Sequence, residues 1–304
     1  MLSLEDLKKI RLEDKTIFDT HYKHYPPMHS GELFTTMISW GEYVEYRYAK
    51  IDDNIIILSK DNNGTVLHPP SGKFNIDVFK QVMRLAEKED SIFGFIKQEE
   101  KNLLTTQFPT IKVEEDRDFF DYVYRASDLA ELPGTKYGKI RNRLNKFTKN
   151  FSYITEEITE KNMAEVHEFL KRWCLWKDCG SDELLENERK AILYSMKHFF
   201  DFNLKGLALR IDETIQAIAV YEKMNADTVV VHFEKGSPDY DGIYKAINME
   251  TAQRVRHLVP FIDREEDLGI PGLRQAKLSY HPDHFIELYY ATKESLRTTT
   301  SESL

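Results

Sequence analysis

GLALRIDETIQAIAVYEKMNADTVVVHFEK, residues 206–235, holds three apolar runs separated by two short polar breaks. The breaks, at Asp212-Glu213 and at Met224 to Asp227, have the length of hairpin connections. GLALRI, TIQAIAVYEK and TVVVHFEK therefore read as a three-stranded meander. Two helical stretches precede it, at about Lys161 to Trp176 and Asn187 to Phe202. After it come a helix from about Gly242 to His257, a strand in VPFIDR, a turn marked by Gly269, Pro271 and Gly272, and a last strand FIELYYA.

The first half repeats that order without repeating the residues. Polar helical stretches run to about Trp40, then EYVEYRYAKI, NIIILSK and TVLHPP form a meander. A helix (NIDVFKQVMRLAEKE), a strand (SIFGFI), a helix (EEKNLLTTQF) and a strand (DRDFFDYVYR) follow. Meander, helix, strand, helix, strand is the order of the acyl-CoA N-acyltransferase (GNAT) fold, although order alone leaves other mixed α/β folds open. Met twice, it predicts an α+β protein of tandem GNAT-like domains, residues 1–150 and 151–304. Each would be a mixed, mostly antiparallel sheet flanked by helices.

The stretch Phe261 to Pro282 is dense in charge: Asp263, Arg264, Glu265, Glu266 and Asp267, then Arg274 and Lys277 on a short helix after the glycines. Arg274 and Lys277 are three apart, so they share a helix face. Two cations beside a glycine turn suit a phosphate or carboxylate ligand; a surface salt-bridge network is the other reading. Within this stretch, REEDLGIPGLRQAKLSYHP resembles the C-terminal signature of the bacterial DUF2156 family, which is similar to the catalytic C-terminal domain of phosphatidylglycerol lysyltransferases. Arg117 to Tyr122, Glu188 to Ala191 and His232 to Lys235 also stand in the family's order, so the resemblance covers nearly the whole chain. It implies a tandem GNAT-like fold and an acyl transfer from aminoacyl-tRNA.

Composition sets bounds on the alternatives. The chain has 304 residues, 41% hydrophobic and 31% charged, an ordinary globular balance. No apolar run approaches the roughly 20 residues needed to cross a bilayer, and MLSLEDLKKI is too polar for a secretory signal. A cytoplasmic protein is expected, with Cys174 and Cys179 as reduced thiols. The net charge of -9 argues against indiscriminate nucleic-acid binding and leaves room for a local basic patch. There is no P-loop, dinucleotide fingerprint, zinc-protease motif or nucleophile elbow. No cofactor or metal is called for.

In a regular strand, Val230, His232 and Glu234 share one face, and Val231, Phe233 and Lys235 the other. His232 and Glu234 could then hold an imidazole ready to take a proton, or be a sheet pair. Acyl transfer calls for such a base. The GNAT resemblance implies chemistry beside this strand, which makes His232 and Glu234 the acid-base candidates. Arg274 and Lys277 would hold donor phosphate or an oxyanion. Asp263, Glu265 and Asp267 would bind the donor's ammonium or orient the cations, including Arg264. Asn248 borders the stripe Tyr244, Ile247, Thr251 and Val255 on the following helix; it is a substrate contact or a bond to a strand.

The loop GSPDYDG, residues 236–242, carries Asp239 and Asp241 where a coenzyme-A enzyme would present a basic or glycine-rich pyrophosphate loop. That favours aminoacyl-tRNA over acyl-CoA as donor. The helix KYGKIRNRLNKFTKN, residues 136–150, should bury Tyr137, Ile140, Leu144 and Phe147 and expose Lys139, Arg143 and Lys146. With Arg141, these form a basic patch for tRNA or an anionic headgroup, or a solvated face. The acceptor would be a lipid headgroup, a peptide or a small molecule. The other classes that stay open are an acyl-CoA-dependent N-acyltransferase and a non-catalytic RNA- or protein-binding member of the fold.

Overall fold

Two seven-stranded mixed sheets organise the chain. The computed structural model describes residues 2–303, and contacts divide it into two units: one from residues up to 120 together with 286 onward, the other from 121–285. Both are α+β units, each a mixed sheet flanked by helices.

The first unit contains β1 (Lys8–Lys9), β2 (Glu45–Ile51), β3 (Asn54–Asp61), β4 (Gly64–Leu67), β5 (Ile92–Lys97) and β6 (Val113–Glu115), with α1 (Lys15–Tyr22), α2 (Phe34–Ser39), α3 (Ile76–Lys88) and α4 (Gln98–Gln107). The second contains β7 (Asp121–Arg125), α5 (Ala126–Glu131), α6 (Gly138–Asn150), β8 (Ile154–Glu157), α7 (Met163–Lys177), α8 (Glu183–Lys197), β9 (Lys205–Ile211), β10 (Thr214–Lys223), β11 (Thr228–Gly236), α9 (Ile243–Val255), β12 (Phe261–Asp263), α10 (Pro271–Leu278) and β13 (His284–Ile286). The chain then returns to the first unit with β14 (Leu288–Ala291) and α11 (Lys293–Ser303).

The cut expected between residues 150 and 151 is therefore displaced. Strand β7 pairs antiparallel with β12, and α6 packs Ile140, Leu144 and Phe147 into the second unit's core. Strand β14 lies between β5 and β6 and pairs with both. Sheet pairing of distant segments, which no local pattern encodes, moves the boundary.

Each sheet has one parallel pair where two strands separate. In the first unit β4 and β5 pair only at Val66↔Ile92 and Leu67↔Phe93. Past that point Phe95 adopts φ 63°, a rare conformation for an aromatic residue. Its ring stacks on His68 at 4.5 Å and meets His29 edge-on at 5.2 Å. A methyl on Gly31 would lie 2.7 Å from that ring, so glycine gives it room. The gap between β4 and β5 is filled by aromatic side chains.

Behind the stack, Lys97 is partly buried between Glu32 and Glu100. Burial opposes the Glu32 charge, but Lys97 prevails and holds that carboxyl down at about 2. In the second unit the corresponding pair, β11 and β12, separates around polar side chains.

Candidate active site

Strand β11 pairs with β10 along most of its length, but with β12 only over Thr228↔Phe261, Val229↔Ile262 and Val230↔Asp263. Beyond Asp263 the chain leans towards β7, where Arg264 N donates to Tyr122 O and Tyr122 N to Glu265 O. The β11–β12 opening is thus built into the backbone.

A bulge interrupts β11 at the opening. Its register with β10 passes from Val220↔Phe233 to Tyr221↔Val231, leaving His232 as the extra residue. A bulge re-aims the side chains around it. Val229 and Val231 pack into the core with Ile247 of α9, and Glu234 accepts a hydrogen bond from Asn248 of the same helix at 3.4 Å. His232 instead contacts Glu222 of β10. The strict alternation that made His232 and Glu234 neighbours does not hold, and each has its own partners.

His232 Nε2 lies 2.8 Å from Glu222 Oε1, and Nδ1 lies 2.8 Å from Glu265 Oε1. Burial alone would push the imidazole down. The hydrogen bonds to Glu222 and Glu265, and their charges, reverse this and hold it up at about 10. At neutral pH both nitrogens therefore carry protons and donate them to carboxylates. Each ring nitrogen of His232, the expected proton acceptor, thus faces a carboxylate. The ring clamps two carboxylates across the opening, one from each side.

More acid lies behind the clamp. Asp263 and Asp121 are fully buried. Burial first, then the Asp121 charge beside it, pushes the Asp263 carboxyl well above its usual range. Asp263 accepts a hydrogen bond from Glu265 N at 2.7 Å, which fixes the turn. Asp263 thus supports Glu265 from beneath.

The signature cations are engaged structurally. Arg274 forks onto buried Asp267 through Nε at 2.8 Å and a terminal nitrogen at 2.7 Å. Asp267 also accepts from Tyr122 OH and Gly269 N. Burial opposes its charge, but Arg274, Tyr122 and Gly269 hold the carboxyl down at about 2. Lys277 Nζ is buried and donates to the carbonyls of Arg264, Glu265 and Glu266. The pair expected to hold donor phosphate instead braces the turn that presents Arg264 and Glu265. Alternating charge in sequence did not reveal that its partners lie within the same turn.

On the α9 side, Arg264 reaches Glu234 at 3.2 Å, and its guanidinium lies over the rings of Tyr280 and Tyr124. Lys245, in the first turn of α9, lies over Tyr280 as well, 4.4 Å from its centroid. Burial, then Arg264, pushes the Lys245 ammonium down to about 8. Neither Lys245 nor Glu222 was singled out from the sequence. The available signal for Lys245 was a cation in the first turn of a helix, where the backbone field disfavours it. Of the expected stripe on this helix, Ile247, Thr251 and Val255 are buried, whereas Tyr244 is 36% exposed.

Of the two carboxylates in the loop before α9, Asp241 meets cations and Asp239 meets, among the described residues, only the Ser237 hydroxyl, at 3.4 Å. Asp241 sits 3.2 Å from Arg143 and 3.4 Å from Lys146 of α6, while Lys139 is exposed. Arg141 turns back onto the carbonyls of Leu132 and Gly134 and belongs to the α5–α6 connection, not to a surface patch. The loop closes at Gly242, φ 101°, where a Cβ would lie 2.9 Å from Phe147 Cβ and 3.1 Å from the Arg143 carbonyl. Gly242→Ala is expected to destabilise the protein by about 1–3 kcal/mol through strain and overlap, read as a lower urea midpoint. An unchanged midpoint would mean α6 moves away without cost.

Farther along β11, Lys235 pairs with Glu188 at 2.6 Å and lies over the Trp173 ring. Trp173 is buried and Trp176 half-exposed. Cys174 and Cys179, expected as free thiols, are joined in a disulfide across the left-handed turn at Asp178 that ends α7. The five-residue separation folds back on itself there. Among the described residues, no helix is long and apolar enough to cross a membrane.

Residues 22–292 match the family profile described as phosphatidylglycerol lysyltransferase, C-terminal. A crystal structure of a conserved protein of unknown function from Bacteroides thetaiotaomicron is 31% identical, with a TM-score of 0.85, over 94% of this chain and 98% of that one. The structure of L-PGS from Bacillus licheniformis is 16% identical with a TM-score of 0.62, over 95% of each chain, a likeness of fold. An uncharacterised protein of Mycoplasmoides gallisepticum is 25% identical over 172 residues, 56% of this chain and 54% of that protein's length.

Proposed function

Because the chain belongs to the family of phosphatidylglycerol lysyltransferase C-terminal domains, we propose that it is an acyltransferase that moves an aminoacyl group from a charged tRNA to an amine or hydroxyl acceptor. The observation that carries this reading is the excess of carboxylates at the β11–β12 opening. Glu222, Glu265 and Asp121 gather around the cations His232 and Lys277. An aminoacyl ester brings an α-ammonium, and a field of this sign stabilises it. Glu222 and Glu265, the partly exposed members, would receive the ammonium while His232 fixes their geometry.

The acceptor's oxygen or nitrogen then attacks the ester carbon. The bond from that carbon to the tRNA ribose oxygen breaks, and the acceptor's proton ends on the released ribose hydroxyl. The exposed cations of α6, Lys139, Arg143 and Lys146, offer a contact for the tRNA backbone. Titration with charged and uncharged tRNA tests the reading. Tight binding of a charged tRNA, followed by loss of its aminoacyl group only when acceptor is present, is the expected result. Indifference to the aminoacyl group would sink it.

The pairing of Asp241 with Arg143 and Lys146 favours one second reading, an acyl-CoA donor, since it offsets one of the two loop carboxylates that would repel a pyrophosphate. Saturable binding of acetyl-CoA, with none of charged tRNA, would select it.

A further inference from the structure

The Cys174–Cys179 bond ties the end of α7 to the turn that leads into α8. Beside it the two helices part around a cavity of about 280 Å³, lined by Leu170, Trp173, Ile192, Leu193 and Cys174 itself. The two sulfurs are not equivalent. Cys179 is 2% exposed, whereas Cys174 is partly exposed and borders the cavity. Cys174 also stands in the last turn of α7, where its carbonyl accepts from Asp178 N and the helix field disfavours a thiolate. The bond spans five positions, so it constrains this turn far more than the whole chain. Both helices then meet β11 at one residue. From α7, the Trp173 ring lies over Lys235 Nζ at 4.5 Å, and its N–H donates to Tyr244 OH at 3.4 Å. From α8, Glu188 pairs with the same ammonium at 2.6 Å.

We propose that this disulfide is a redox switch, opened by an external dithiol that attacks Cys174. The attacking thiolate sulfur bonds to Cys174 Sγ, the Cys174–Cys179 bond breaks, and Cys179 leaves with the electron pair and takes a proton from water. The second thiol of the reductant loses its proton and displaces Cys174, which is protonated in turn. The reductant ends as a disulfide and both cysteines as thiols, two electrons having passed to the protein. Exposure selects Cys174 as the sulfur attacked, and the helix field selects Cys179 as the leaving group. Reduction frees the turn between α7 and α8, lets Trp173 and Glu188 move independently, and loosens the hold on Lys235.

Dithiothreitol and glutathione are the probes, used on the intact chain. Iodoacetamide in urea should label neither cysteine before reduction and both after it. A brief exposure to glutathione, quenched in acid, should leave the tripeptide on Cys174. The amides of Asp178, Leu185 and Glu186 close the end of α7 and the start of α8. Their hydrogen exchange should quicken by about 10-fold or more on reduction, the low end of what a short disulfide loop constrains. Ala252 in α9 should keep its rate. Acetic anhydride should label Lys235 faster after reduction, with Lys139 as the unchanged reference. The double variant Cys174→Ser, Cys179→Ser should show the fast rates without reductant and ignore its addition.

Alkylation of both cysteines in the untreated protein overturns the switch. So do exchange rates that reduction leaves unmoved, or a double variant that exchanges like the oxidised protein. Glutathione on Cys179 overturns the assignment of the attacked sulfur, and unchanged Lys235 labelling overturns the link to β11. No readout needs a donor or an acceptor, so failure of the transfer reading leaves each of them standing, and their failure leaves that reading in place.

Discussion

Alanine at His232 is expected to lower the unfolding free energy by about 3–5 kcal/mol, the range for breaking a buried ion pair from one side. The variant leaves Glu222 and Glu265, both partly exposed, with no cation between them. The effect should depend on pH in a definite direction. The folded imidazole sits at about 10 and the unfolded one at the ordinary 6.5, so its contribution is complete below 6.5 and disappears as pH rises through 10. Urea unfolding of wild type and His232→Ala at pH 6, 8 and 10 should show the gap narrowing towards pH 10. A general base behaves otherwise: its removal would slow turnover while leaving the urea midpoint in place, and wild-type turnover would rise with pH through 6.5. That second pattern would restore the role expected from the strand alone.

Lys277→Met should lose about 2–4 kcal/mol, because the backbone carbonyls of residues 264–266 lose the ammonium that joins them, while that of Glu265 keeps Tyr122 N. Aminoacyl transfer should fall along with stability, since the same backbone holds Arg264 beside Glu234 and Glu265 beside His232. A lysine that bound donor phosphate would give a different signature, a raised KM with an unchanged melting temperature. Measuring both on one variant separates a brace from a ligand contact.

The element order was legible because the meanders alternate cleanly and their turns are short. Strands β9, β10 and β11 lie where the apolar runs of residues 206–235 place them. Less legible were the events that depend on one residue. The bulge at His232 leaves no mark in TVVVHFEK, yet it separates His232 from Glu234 and brings in Glu222 from the neighbouring strand. Charge in REEDLGIPGLRQAKL marked the turn beside the β11–β12 opening but not the partners of its side chains. Local sequence cannot say whether Arg274 will face a ligand or turn onto Asp267, seven residues away. The basic helix was legible in its buried stripe, whereas its link to Asp241 is tertiary.

The return of β14 to the first sheet has a consequence for how the protein is made. Domains synthesised on a ribosome ordinarily fold in the order in which they emerge. Here the contiguous segment 121–285 can finish its sheet first, while the earlier residues wait. Until residues 288–291 emerge, β5 lacks its neighbour and β6 lacks its pairing partner, leaving open strand edges of the kind that attract other chains. The part translated first is completed last, and a nascent chain stalled before Leu288 is the form in which chaperones would meet this protein.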